Sequence, residues 1–209
     1  ALEATDMAEL SVAQIAALNT TQFQSLTSTN LALLADTQVQ AFSTTQLQAL
    51  STTNLTALTD TQIAALTTTQ IGNLTTTQAR FLSTTNVAAL TTTQIGALSV
   101  TQVSRLATDA VAQFDATQIA ALSTTQVRAF STTHIAALGA ADVAELTTAQ
   151  LAALTTTQVR SLTATNLASL ADTQVAALTA TQIAAFSTTN FSSLADTQIS
   201  ALTTTQVGA

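Results

Sequence analysis

TTTQIGAL, residues Thr91–Leu98, contains the pattern that decides the fold. A threonine opens it, a glutamine stands three places later, and an isoleucine follows at once. Ser/Thr-x-x-Glu/Gln ahead of an apolar residue has the form of a capping box. The hydroxyl takes a free amide of the first helical turn, and the Gln side chain bonds back to the cap amide. Leu90 and Ile95 fall at the two positions of a hydrophobic staple, one before the cap and one four residues into the helix. Leu90 therefore closes one segment and staples the next. The spacing predicts a helix of about six residues, roughly 9 Å long, with a sharp turn at each end.

The same eight-residue pattern runs from end to end. Counted from Glu3, the chain divides into 26 octads without insertion or deletion, and only the last lacks its eighth residue. The consensus is S/T-T-T-Q-I/V-A-A-L. Position 8 is Leu or Phe in every complete octad, and position 5 is always apolar. Ala79 is the small case at position 5, and Phe81 two places on suggests volume returned to the core from a neighbouring position. A single long helix does not fit. Eight residues turn an ideal helix by about 800°, so an octad stripe would wander round it. A string of short capped helices does fit. Each is far below the ~12 residues that give even marginal stability alone, so stability must be collective, as in a solenoid. A β-solenoid stands as the rival, because Thr, Val and Ile favour strands. Against it, alternation fails across the Ala-Ala pair, and four Gly with no Pro leave few turn formers.

Position 4 carries a second period. Gln occupies it in 17 octads, and Asp or Asn replaces it at Asp6, Asn30, Asn54, Asn86, Asp142, Asn166 and Asn190. With the Glu3 octad counted as zero, these octads follow multiples of about 3.4 rounded down, a spacing that reads as the number of octads per turn of a superhelix. Residues 6–18 return as 142–154, a shift of 17 octads, which is five times that spacing. The reading is an all-α superhelix with one helix per octad and about 3.4 octads per turn. At Ala35, Ala171 and Ala195 the cap residue is missing and Asp follows, so the cap is expected to slip to Asp36, Asp172 and Asp196. Position 6, with Arg80, Arg128, Arg160, Gln24, Gln40 and Gln48, is expected to face water. Position 3 is Thr in 22 octads, which fits either a buried seam or an exposed ladder. No linker interrupts residues 1–209, so they read as one continuous solenoid. Neither end shows a polar capping repeat, which points to a piece of a longer array. The alternative is a chain that stacks end to end into a fibre.

Composition narrows the function. The net charge is -7 and the only basic residues are Arg80, Arg105, Arg128 and Arg160, so there is no basic stripe for nucleic acid. No apolar run approaches the ~20 residues of a membrane span, and no signal peptide is legible. The absence of Cys excludes disulfides and thiolate metal sites, and fits an oxidising exterior. Asp6 with Glu9, and Asp142 with Glu145, lie three apart and are the nearest approach to a catalytic or metal-binding carboxylate pair. In a first turn they read instead as partners of the helix dipole. His134 stands where most octads have Gln, with no Cys, Asp or Glu at ligand spacing, and reads as a substitute for it. The many Ser and Thr have no base within reach. We therefore expect no catalytic residues, no cofactor, no metal and no enzyme.

The array S/T-x-x-Q-I/V-x-x-L, as in STTQVRAF (123–130) and LTTTQIGAL (90–98), resembles octapeptide repeat regions of very large bacterial surface or exported, adhesin-like proteins. The resemblance covers the whole chain and implies an extracellular or cell-surface spacer, stalk or filament segment. It carries no catalytic or ligand residues across. The expected partners are neighbouring repeats of the same array, with end-to-end self-association possible in principle. Two alternatives remain: a repeat scaffold that adheres to protein, glycan or a surface, and an ice-binding lattice of threonines.

Overall fold

The structure is a computed structural model that describes residues 4–209. Ala1, Leu2 and Glu3, on which the reading of the chain's beginning rested, lie outside the described residues. Among the described residues there are 26 helices of four to six residues each, one per octad, and no strand. The β-solenoid reading is thereby excluded.

The octad that opened the sequence analysis shows why each helix starts and stops where it does. Thr91 is extended, with φ -70° and ψ 159°, and helix Thr92–Ala97 follows. The Gln94 amide donates to Thr91 Oγ1 at 3.3 Å, and the Thr91 amide donates to Gln94 Oε1 at 2.8 Å. Two amides that a helix start leaves unpaired are thus satisfied reciprocally. At the other end the Leu98 amide donates to the Ile95 carbonyl at 3.2 Å, and Leu98 is already extended at φ -62°, ψ 132°. Extended Leu98 followed by extended Ser99 makes the corner. No residue among those described needs positive φ, which is why the chain turns so often with so little Gly and no Pro.

Burial follows the octad. Position-5 residues from Met7 to Val175 are fully buried, and position-8 residues from Leu26 to Leu178 are buried wherever Leu stands. Position 6 faces water as expected: the three Arg and three Gln named above are all exposed. Two expectations fail. Phe81 does not refill the core beside Ala79; it is 53 % exposed, with the Arg80 guanidinium carbon 5.8 Å from its ring centre, while Ala79 is fully buried. The core there accepts the small residue, and Phe81 lies outside because its octad place faces outward. The cap does not slip at Ala35, Ala171 and Ala195 either. Each remains the extended residue before the helix, with no side-chain cap bond, and Asp36, Asp172 and Asp196 are the first helical residues. Their carboxylates sit at the positive end of the helix, where a negative charge is favoured. The retained amide-to-Gln bond, for example Ala35 to Gln38 at 2.7 Å, holds the frame without a hydroxyl.

The described residues form two compact units, one ending at Gln113 and the other spanning Phe114–Ala209. Within each, a helix packs against the third one along. Thr68–Gly72 meets Thr92–Ala97 in the first unit, and Thr124–Ala129 meets Thr148–Ala153 in the second. Each unit is therefore a solenoid of short helices, whose order along the chain is its order in space.

Candidate functional site

The most chemically capable side chain in the octad is the glutamine, and its geometry accounts for it completely. Gln94 Oε1 accepts from its own cap, while Nε2 donates to the carbonyls of Ile63 at 2.9 Å, Ala64 at 3.2 Å and Leu66 at 2.6 Å. Those carbonyls close a helix four octads earlier, at separations of 28 to 31 residues. The same bridge recurs at Gln46, Gln62, Gln70, Gln78 and Gln102 in the first unit. In the second it recurs at Gln150, Gln158, Gln174, Gln182, Gln198 and Gln206. One amide side chain thus caps the helix that carries it and the C-terminus of a helix one turn below. Contact with the third helix along, and a reach to the end of the fourth one back, place a superhelical turn between three and four octads, as the 3.4-octad period predicts.

Sequence reasoning found the cap half of this role and missed the bridge half. The signal was available. A capping box takes Glu as readily as Gln, yet no octad has Glu at position 4. Glutamate supplies the acceptor and lacks the donor. Asparagine, one methylene shorter, still donates: Asn54 reaches the Leu26 carbonyl at 2.6 Å and Asn166 reaches Leu138 at 3.1 Å. Of the bridge contacts, Asn54, Asn86, Asn166 and Asn190 make the one 28 residues back. Among the described residues no buried side-chain nitrogen or oxygen lacks a partner.

The residues singled out for possible chemistry are placed as follows. His134 is buried, and its Nδ1 accepts from the Ser131 amide at 3.3 Å, the bond that Gln Oε1 accepts elsewhere. The His134 amide donates to Ser131 Oγ at 3.1 Å, and its ring meets the Phe130 ring edge-on at 5.7 Å. It stands in for Gln as the sequence suggested. Asp6 is in the first turn of helix Ala4–Glu9, and both Asp6 and Glu9 are exposed. Asp142 Oδ2 accepts from the Gly139 amide at 2.8 Å, giving half a capping box, while Glu145 ends the same helix. No group of three His, Asp or Glu among the described residues is arranged to hold a metal ion. Asp115 is a helix cap whose carboxyl lies below its ordinary value of 3.8, chiefly because the Thr117 hydroxyl donates to it and then because the Gln118 amide does.

The threonine at position 3 is settled as an exposed ladder. From Thr21 to Thr205 it faces water wherever it occurs. In several octads its hydroxyl lies within hydrogen-bond distance of the cap hydroxyl two residues before, as at Thr91–Thr93, 3.0 Å, and Ser131–Thr133, 2.7 Å. A shallow depression beside exposed Phe81 is lined by Thr52, Thr53 and Thr56.

Comparison with known proteins agrees with this geometry. The model of the ALTTAQ repeat matches residues 1–36, 39–76 and 119–156, together more than half of the chain. The chain belongs to the ALTTAQ repeat family. The matched residues include LTTAQ at 146–150, which carries a closing Leu, a threonine cap and the bridging Gln150. No curated protein and no solved structure matches it. No described helix is long and apolar enough to cross a membrane.

Proposed function

We propose that this ALTTAQ array is a non-catalytic structural segment: a spacer, stalk or filament piece of a very large bacterial surface or secreted protein. The observation that carries the reading is where the polar groups are used. From Gln38 onward the position-4 glutamines are buried, and their side chains are bound to backbone inside the solenoid, as at Gln94. What remains outside is a repetitive lattice of Thr, Ser and Ala, with sparse Asp, Glu and Gln and four Arg. Such a surface suits a part whose job is length. Solenoids grow by adding repeats, each of which contacts only near neighbours, so length is set by copy number.

Two measurements test this reading. Antibodies against the 209-residue chain should label intact, unpermeabilised cells of its source; labelling only after permeabilisation contradicts a surface role. With a donor and an acceptor dye flanking the array, each added group of 17 octads should lengthen the separation by the same increment. A separation independent of copy number contradicts a spacer.

One observation favours a second reading, a binding scaffold. Phe81 exposes an aromatic face beside Arg80 and above Thr52, Thr53 and Thr56. Aromatic faces with neighbouring hydroxyls suit a glycan or a peptide. Selective retention on a glycan or peptide array, lost in Phe81→Ala, would favour that reading over the spacer. Thermal hysteresis in solution would instead favour an ice-binding threonine ladder.

A further inference from the structure

The charged residues are few, but the superhelical turn sorts them onto two sides. A turn of about 3.4 octads is about 27 residues. In the second unit Asp115 and Asp142 stand 27 residues apart, as do Glu145 and Asp172, and Asp196 follows Asp142 by two such turns. In the first unit Asp36 stands 27 residues after Glu9, and Asp60 stands 54 after Asp6. The helices that carry them are stacked. Asp115 caps helix Ala116–Ala121, which packs on Ala140–Ala144, and Asp172–Ala176 packs on Asp196–Ser200. Gln174 joins these two pairs, donating to the Ala144 and Leu146 carbonyls at 2.7 Å, on either side of Glu145. Gln38 likewise donates to the carbonyls of Ala8 at 3.2 Å and Leu10 at 2.6 Å, and its helix Asp36–Gln40 packs on Asp60–Ala65. Each unit thus carries a column of carboxylates, all exposed except the half-buried Asp142. The arginines avoid that column. Arg128 lies 13 residues after Asp115 and 14 before Asp142, half a turn from each, and Arg160 lies 15 after Glu145 and 12 before Asp172. Gln158 donates to the Arg128 carbonyl at 3.3 Å, so helix Thr156–Arg160 stands one turn along from helix Thr124–Ala129. In the first unit Arg80 is 20 residues past Asp60 and Arg105 is 25 past Arg80, and helix Thr76–Phe81 packs on Val100–Val103. All four arginines are exposed. Asp109, four residues after Arg105, is the one carboxylate among the described residues outside the columns.

We propose that copies of this solenoid associate side by side, the acidic column of one against the arginine column of the other. Opposite charges on opposite sides of one body are complementary in this way. Both columns recur about once per turn, so a pairing made at one turn recurs along the stack. The two faces differ, so the contact is heterologous, and each copy keeps one face of each kind for a further copy. An exposed ion pair contributes little and is screened by salt. The association is therefore weak per turn, grows with the number of turns lying side by side, and is lost at high salt. The inference rests on the charge pattern and is independent of the function proposed above.

The second virial coefficient from static light scattering tests it, at about 10 mM and about 1 M salt, where the screening length is about 30 and 3 Å. A chain of net charge -7 without complementary faces repels its copies, most strongly at low salt. The coefficient should instead be negative at low salt and rise as salt is added. Two variants made from exposed residues locate the attraction, with helical circular dichroism equal to the parent's as the check that each folds. Arg80→Gln/Arg105→Gln/Arg128→Gln/Arg160→Gln should repel at low salt. Asp36→Asn/Asp60→Asn/Asp172→Asn/Asp196→Asn makes the chain less negative, which by itself weakens repulsion, yet its low-salt coefficient should rise above the parent's. A positive coefficient for the parent at low salt overturns the proposal. So does low-salt attraction that survives in the arginine variant or is undiminished in the aspartate variant. Attraction that appears only with added calcium also overturns it, because the ion would then join two acidic faces without the arginines.

Discussion

Gln14 and Gln78 occupy the same place in the same octad, yet they live in different environments. Each returns its Oε1 to a cap amide, at 2.8 and 3.0 Å. Gln78 also donates to the Leu47 and Leu50 carbonyls at 2.8 and 3.0 Å and is 2 % exposed, while Gln14 donates to nothing and is exposed. The cap is therefore a local property of eight residues, and the bridge is a property of the stack. A helix of six residues owes its ends to the first and its persistence to the second, since a helix so short does not stand alone in water.

The largest expected effect separates the two roles. Gln78→Glu keeps the cap acceptor but turns the buried bridge donor into a carboxylate oxygen facing two carbonyls. It should cost about 3–5 kcal/mol, the range for an uncompensated buried charge, read from urea denaturation. Gln14→Glu should change stability by less than about 0.5 kcal/mol, as exposed substitutions do. Equal losses at the two sites would mean that the bridge adds nothing beyond the cap.

A smaller gain should come from completing an unfinished joint. Asp142 has the acceptor for Gly139 and no donor for the carbonyl of Phe114, 28 residues earlier. Asp142→Asn supplies one, as Asn166 does towards Leu138, and should raise stability by about 0.5–1.5 kcal/mol, the net worth of one hydrogen bond. Thermal melts check it; an unchanged or lowered midpoint would show that Asn does not reach there.

Two glycines make a comparison of similar size. A methyl on Gly96 meets nothing within 4 Å, so Gly96→Ala should stabilise by about 0.5–1 kcal/mol through helix propensity and unfolded-state entropy. A methyl on Gly72 would lie 3.0 Å from the Ala97 carbonyl oxygen, on the helix packed against it, so Gly72→Ala should give no gain. If both stabilise alike, the helices have more room between them than the structure shows.

The smallest effect concerns pH. Asp115 is held below 3.8 by the Thr117 hydroxyl and the Gln118 amide. A folded-state value below the unfolded one means that its contribution is complete above about pH 4 and is lost as pH falls through the folded value. Asp115→Asn should flatten this small acid-side slope in a stability-against-pH series, leaving neutral pH little changed. A slope identical in the variant would assign it to the other carboxylates.

Much of the fold was legible because it is local. Thr91, Gln94, Ile95 and Leu98 state cap, return bond, core and stop within eight residues, and the Asn at 54, 86, 166 and 190 carried the turn length. Three things were not legible, for physical reasons. The bridge of Gln78 joins residues about 30 apart, and only the missing glutamate at position 4 hinted that a donor was required. Phe81 looked like core filling because volume was weighed without direction, and position 7 of its octad points outward. Ala35 kept the frame without a hydroxyl because the amide-to-Gln bond and the packing hold it, so a cap rule alone misplaced it. As for chemistry, His134 and Asp142 sit in cap roles and Asp6 in a first turn. Glu9 and Glu145 lie exposed at the C-terminal ends of their helices, where the first-turn reading of the two pairs does not hold because each helix is only five or six residues long.

The most direct test of the central claim, that glutamine joins one turn to the next, is hydrogen exchange of the glutamine side-chain amide protons by NMR, at concentrations where the chain is monomeric. Protons on Nε2 of Gln46, Gln78, Gln94 and Gln182 should exchange slowly, and those of Gln14 and Gln22 at the rate of a free amide. Fast exchange at all of them would show that the turns are held by apolar packing alone, and would contradict the account.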